Sequence, residues 1–422
     1  MFMSNPGTLY RNYVLAMLTL VYVFNFIDRQ LLVILQESIK KDLQLSDTQL
    51  GLLSGFTFAI FYVTMGIPIA RLADQRNRRN IVAISLGLWS VMTAFSGLAR
   101  NFFQLLMARI GVGVGEAGGS PPAHAMISDY FKPEHRATAL SIYSTGIYFG
   151  MMFGFVMGGY LNENLGWRVT FFVLGIPGVL FSLLFYFTVK EPRRGATDVD
   201  ASGQPDHSLK DVLGILFSKK TFIFLGLATG LHAFCIYGIF NWAPSFLARL
   251  HGMSNSDIGV SLGFILGIGG AIGSFAGGYL SDRLGRKDRR WYLKMPATAI
   301  IISIPFVVGA LFIPNAIASQ ICFGVASSIY SMYLGPSIAV AHQLVPASMR
   351  ALTSEILFLV LNLIGLGFGP LVVGMLSDAL TPSMGIEALR WAMAALVVVS
   401  TTAVLLFFAA ARNIESDVYT AR

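Results

Sequence analysis

Four charged residues interrupt otherwise apolar stretches, and their spacing is the first chemistry the chain offers. Arg109 and Glu116 bracket the tract Ile-Gly-Val-Gly-Val-Gly and lie seven residues apart. Two helical turns return a side chain to the same face about 10 Å along the axis, so both charges are expected to point into one space. Upstream, Asn25-Phe-Ile-Asp28-Arg29 places a second acid and a second guanidinium in another apolar segment. A charge at bilayer depth costs several kcal/mol unless it is paired or lines an aqueous cavity. Buried ion pairs stabilise poorly, so two of them in apolar segments point to a role beyond holding helices together.

The glycines between these charges invite a competing reading. Gly113-Val-Gly115-Glu-Ala-Gly118 fits the dinucleotide pattern GxGxxG, but no strand precedes it and no soluble βαβ unit surrounds it. The tract is therefore read as a small-residue face for close helix packing. Cys235 and Cys322 lie within apolar runs and imply neither a disulfide framework nor a metal site. Metal-ligand spacing, a nucleophile elbow and a nucleotide loop in its proper context are all missing from the sequence, so neither an enzyme nor a cofactor is expected.

The elements that position the charges follow from composition. Of 422 residues, 55% are hydrophobic and 12% charged, whereas soluble domains carry about 25% charged residues. The chain reads as an all-α membrane protein. Twelve apolar stretches of spanning length recur, near 12–38, 49–70, 80–99, 102–128, 136–161, 168–189, 221–248, 257–281, 292–313, 315–343, 351–377 and 387–411. Residues 1–10 are polar and the first apolar stretch is long enough to span, so a retained first helix rather than a cleaved leader is expected.

The formal charge of +8 does not point to nucleic acid, because the basic residues sit in short loops. The termini and even-numbered loops hold 22 of the 30 Lys and Arg residues, against six in the odd-numbered loops. Both termini are thereby expected on the cytoplasmic side. Short loops favour a bacterial inner membrane.

The longest polar stretch, about residues 191–219, separates a six-span bundle at 1–190 from a second at 220–422 and ends in a short amphipathic piece around 208–217. The halves echo each other. Asp74 with Arg76, Arg78 and Arg79 after span two matches Asp282 with Arg283, Arg286 and Lys287 after span eight, 208 residues later. Pro133-Glu-His-Arg136-Ala is echoed by Pro346-Ala-Ser-Met-Arg350-Ala, and Gly154 and Gly159 by Gly369 and Gly374. Repeats at nearly one offset mark duplicated halves.

Twelve spans in two halves, with an acid and a basic cluster in loops two and eight, resemble the major facilitator superfamily. Gly278 to Lys287 matches the family's loop motif fully; the first copy departs from it at Ala70, Gln75 and Asn77. Asn25 to Arg29, Gly113 to Ala117 and the Pro133 to Arg136 loop look like the Spinster branch, whose animal members are similar to exporters of sphingosine phosphate and lysolipids. Related organic-anion carriers also place Asp-Arg near the end of span one.

The resemblance implies a secondary active, alternating-access transporter, expected as a monomer, in which spans one and four line a central cavity. At 1.5 Å per residue, Asp28 lies ~15 Å, Arg109 ~10 Å and Glu116 ~21 Å below the outer surface, so the two pairs overlap in depth. Glu116 is expected to titrate with Arg109 as its switchable partner, and Asp28 with Arg29 to act as gate or relay, linking transport to protons. Arg29, Arg109 and Glu116 are also expected to meet substrate. His232, Tyr237, Asn241, Tyr330, Tyr333, Phe358 and Asn362 in the second half supply a polar and aromatic counterpart. His232 is read either as a packing histidine or as a pH-sensitive contact.

Such a cavity suits an amphipathic anion with an ionic head and an acyl tail, with membrane lipids as its surroundings. A small organic anion or drug-like compound is the alternative cargo, and a non-transporting receptor or scaffold the alternative class. Gating is expected of Asp74, Arg78, Arg79, Arg136, Asp282, Arg283, Arg286, Arg350 and Glu355, all placed where spans meet the cytoplasm.

Overall fold

The computed structural model describes residues 7–195 and 209–419, without the side chains of Asp74, Leu209, Ala347 and Ala351. The described regular structure is helical. Among the described residues, eight helical runs are long and apolar enough to cross a membrane. Two of them, Pro133–Thr188 with 56 residues and Leu352–Asp417 with 66, are each long enough for two crossings of a ~30 Å hydrocarbon core. Arg78–Ser96 begins with a basic pair and the next span is broken in its middle, which is why neither qualifies on length and hydropathy; with them the spans number twelve.

The first unit packs Met1–Gly203 together with Met253–Gly263. Span one is Thr8–Leu43, and span two runs from Asp47–Gly51 through a π-helical turn, Leu52–Phe56, into Thr57–Gln75. Span three is Arg78–Ser96, capped by the Asn77 side chain, which accepts from the Asn80 amide. Spans five and six form Pro133–Thr188, divided at Gly166, whose φ of 78° is tolerated because no Cβ is present. Trp89, Phe155, Phe171 and Phe185 are fully buried at its core.

Span four departs from the single helix expected over 102–128. Phe102–Glu116 ends at Glu116, a turn follows over residues 117–119, and Ser120–Tyr130 restarts with prolines in its first turn. Pro121 and Pro122 donate no N–H to the carbonyls of Ala117 and Gly118, so the helix cannot run through. The break sets Glu116 at a helix end inside the membrane, where transporters place coupling groups.

The second unit packs Gln204–Gly252 with Phe264–Arg422. The amphipathic piece is the helix Leu209–Ser218, with Val212 and Leu216 buried. Span seven is Lys220–His251; span eight contains a π-helical turn at Ile265–Gly269, echoing that in span two; span nine is Trp291–Phe312. Span ten, Ala316–Tyr330 and Leu334–Gln343, is broken by a 3-10 turn at Ser331–Tyr333. Span eleven carries a longer π-helical stretch, Leu361–Phe368, between Arg350–Val360 and Gly369–Met384. Span twelve is Ala388–Ala394 and Leu396–Asp417. Trp242, Phe246, Phe323 and Phe407 fill the core, and the Trp242 indole N–H donates to the Pro370 carbonyl at 2.9 Å.

Large apolar side chains also point outward. Phe103, Phe187, Phe275 and Val398 are each more than 70% exposed. Water would penalise such a surface, whereas lipid tails do not.

Candidate functional site

The four intramembrane charges converge within the first unit. Glu116, 1% exposed at the broken end of span four, accepts a 2.7 Å hydrogen bond on Oε2 from Arg29 Nε of span one. The pair that forms is thus Arg29–Glu116, whereas the sequence spacing had coupled Glu116 to Arg109. Helix periodicity places two residues of one helix on a face, but which neighbour reaches across depends on how span one is rotated against span four. Arg109 and Asn25 flank the same carboxylate. Asp28 lies among Glu116, Arg109 and the Thr93 hydroxyl of span three.

Span two completes the site with groups that the sequence reading passed over. The Arg29 guanidinium lies 4.7 Å from the Phe58 ring centre, 5.1 Å from Tyr62 and 5.0 Å from Phe26. Phe58 and Tyr62 are one helical turn apart and stack on each other at 5.5 Å. An Arg presses its planar cation against ring faces in this way, and rings attract it most where water is excluded. Spacing i, i+4 on an apolar span was the available signal, but most aromatic pairs on such spans only pack.

The glycines explain how the backbones come close enough. A Cβ on Gly115 would stand 2.8 Å from the Trp89 backbone nitrogen, and one on Gly118 would stand 2.1 Å from Ser85 Oγ. Small residues here let span four sit against span three, the packing role read from the sequence.

The cluster retains unused hydrogen-bonding capacity. Arg109 is 1% exposed, and its Nε and Nη1 have no hydrogen-bond partner among the described residues; the same holds for Glu116 Oε1. Buried polar groups are nearly always satisfied. Two acids and two guanidiniums with spare donors and an acceptor form an arrangement that can rearrange its pairs or take up a proton, water or anion.

In the second unit, His232, Tyr330 and Tyr333 come together. The His232 ring meets Tyr333 edge-on at 4.5 Å and Tyr330 at 4.9 Å, and its Nε2 lies 2.9 Å from the Tyr330 carbonyl. A carbonyl only accepts, so Nε2 carries the proton and Nδ1 is left as a buried acceptor with no partner among the described residues. The Tyr330 hydroxyl reaches Ser400 Oγ at 3.3 Å. Tyr237 and Asn241 share span seven with His232; Asn241 is buried and Tyr237 partly so. Phe358 is exposed, and Asn362 Nδ2 donates to its carbonyl at 2.9 Å.

The expected gating residues divide between a knot and an exposed set. Arg78 is buried and bridges Asp129 Oδ2 at 2.6 Å and Glu191 Oε1 at 2.8 Å. The Arg79 amide donates to Glu191 Oε2 at 2.8 Å, and its side chain to the Tyr186 carbonyl at 2.5 Å. Asp129, in the last turn of Ser120–Tyr130, and Glu191, in the segment after span six, escaped the sequence reading because they lie 62 residues apart in the chain. Arg136 Nε donates to the Ser128 and Phe131 carbonyls at 2.9 and 3.1 Å. Asp282 accepts from the Tyr292 hydroxyl at 2.7 Å, and Arg283, Arg286, Arg350 and Glu355 are exposed. The Asp74 side chain lies outside the described residues.

Comparison with known proteins gives this geometry a family. The Major Facilitator Superfamily profile matches residues 18–370. The chain is 35% identical over 387 residues to an MFS-type efflux pump of Mycolicibacterium smegmatis, covering 90% of this chain and 88% of that protein. It is 26% identical to Protein spinster homolog 1 of Xenopus tropicalis, across 97% of this chain and 83% of the relative. A crystal structure of a bacterial homolog to the human lysosomal transporter Spinster, inward-facing and unoccupied, is similar with a TM-score of 0.89 and 32% identity, over 99% of this chain and 100% of that one. The chain belongs to the Major Facilitator Superfamily, as a Spinster-like integral membrane transporter.

Proposed function

We propose that this transporter is proton-coupled and moves an amphipathic, lysolipid- or sphingolipid-like anion by alternating access. The observation that carries the reading is the Arg29–Glu116 pair, sealed at Glu116 and boxed by Phe26, Phe58 and Tyr62 at Arg29. Protonation of Glu116 removes the charge that holds Arg29. The freed guanidinium can then take a phosphate or carboxylate on its forked donors while the rings meet the apolar part of the same molecule. Arg109, with two unused donors, takes up the carboxylate when the anion leaves, and Asp28 keeps the cluster near neutrality.

Within the second unit, taken by itself, His232 Nδ1 is the acceptor we assign to substrate recognition, together with Tyr330, Tyr333, Tyr237, Asn241, Phe358 and Asn362 of spans seven, ten and eleven. The loop residues Arg78, Arg79, Arg136, Asp282, Arg283, Arg286, Arg350 and Glu355, with Asp74, act as gates. The protein works as a monomer in a bacterial inner membrane with both termini cytoplasmic, an orientation supported by the basic loops.

Uptake into proteoliposomes of a labelled single-chain lysolipid, a sphingoid phosphate and a short dicarboxylate tests the cargo. Gradient-stimulated uptake of the lipids alone supports the reading. Likeness to an efflux pump at 35% identity favours a second reading, a drug-like or small organic anion as cargo. Uptake of the dicarboxylate alone would select it.

A further inference from the structure

A cavity of about 450 Å³ lies away from the charged cluster, between the first turns of span one and span five. Its polar edge is formed by Arg11, His135 and Thr138, its apolar wall by Leu15, Phe131 and Ile142, and among the described residues no carboxylate lines it. Arg11 stacks its guanidinium 4.8 Å from the Phe131 ring centre. Its Nε is shut off from solvent and has no hydrogen-bond partner among the described residues. A guanidinium held in this way, with no acid opposite it among the described residues, keeps hydrogen-bond donors unused that an anion could take. The cavity sits at the end of the bundle where Tyr10 binds Thr188 and Lys190, beside Lys132 and Arg136.

The apolar side of the cavity continues along span five. Ile142, Phe149, Phe153 and Met157, spaced seven, four and four residues apart, share one helix face and are all more than 40% exposed. A basic edge at the polar end of a span, continuing into an exposed apolar track, matches a molecule with an anionic head and acyl chains running along the helix. The volume lies within the usual range of small-molecule sites, about 300–1,000 Å³.

We propose that this cavity is a binding site for an anionic phospholipid of the surrounding bilayer, its phosphate on Arg11 and its acyl chain along Ile142 and Phe149. The site is separate from the transport cluster and does not depend on the cargo's identity. Arg11 supplies the charge, Phe131 fixes its orientation, and Thr138 opens the space that the head occupies.

Native mass spectrometry of the full-length protein in detergent, with added phosphatidylglycerol, phosphatidylcholine or glycerol 3-phosphate, tests this directly. Wild type is expected to retain one phosphatidylglycerol in preference to phosphatidylcholine. Arg11→Gln should weaken that retention about fivefold, the effect of one basic residue at an anionic lipid surface. Thr138→Trp, which fills the cavity and leaves Arg11 in place, should weaken it as well, and decides the matter if the Arg11 variant fails to fold. Equal retention of both lipids, or wild-type retention in the variants, would overturn the proposal. Displacement of the phospholipid by glycerol 3-phosphate at equal concentration would also overturn it, in favour of a soluble-anion site.

Discussion

Removing one partner of the Arg29–Glu116 pair should cost far more than removing both, and the two single changes should not cost the same. Glu116 is sealed, whereas the Arg29 side chain keeps 16% exposure and three ring contacts. Glu116→Met leaves Arg29 and the fully buried Arg109 with Asp28 as the remaining acid of the cluster. Breaking a buried pair in this way costs about 3–5 kcal/mol. Arg29→Met leaves Glu116 beside Arg109, whose Nε and Nη1 are unused and can replace part of the lost bond. A loss of about 1–3 kcal/mol is expected, the range for a buried acceptor left partly satisfied. The double variant replaces the pair with apolar volume, which is often close to neutral, so the coupling should exceed ~2 kcal/mol. Reversible unfolding of the four proteins in mixed micelles measures it. Single effects that add to within ~0.5 kcal/mol, the behaviour of independent sites, would refute the reasoning, as would a larger loss for Arg29→Met than for Glu116→Met.

Three further outcomes follow from the packing and the loops. Arg78→Ala strands Asp129 and Glu191 together and should lower stability by about 3–5 kcal/mol; Arg78→Lys should recover only part, because a point charge cannot serve both acids with a planar fork. Gly115→Ala pushes a methyl against the Trp89 backbone at 2.8 Å and should cost about 1–3 kcal/mol in thermal unfolding, as overpacking does. The Arg290 amide, and after it the Lys294 ammonium, hold Asp288 below the usual carboxylate range. Its contribution is therefore present above the ordinary Asp pKa and lost as pH falls through the lowered value. Asp288→Asn should flatten the acid limb of a stability–pH profile and leave the other limb in place.

Much of the site was legible because charges in apolar segments are rare and costly. Asp28, Arg29, Arg109 and Glu116 stood out on composition alone, and helical spacing with span direction placed them at overlapping depths. Their pairing was not legible: it depends on how span one is rotated against span four, which the periodicity within either span does not fix. The break after Glu116 had a signal in Pro121-Pro122, but hydropathy runs unbroken through it and masks the turn. The aromatic box around Arg29 was hidden among the many rings that spans carry for packing. Asp129 and Glu191, lying 62 residues apart in the chain, reveal themselves as one knot only when Arg78 is seen between them.

Proton coupling by this cluster requires that Glu116 carry the proton. The most direct measurement is proton movement into proteoliposomes holding a pH-sensitive dye, triggered by adding lysolipid, for wild type and Glu116→Gln. Cargo-dependent proton flux is expected in wild type and its loss in the variant, even where the variant still exchanges cargo without a gradient. Undiminished cargo-dependent proton flux through Glu116→Gln would contradict it.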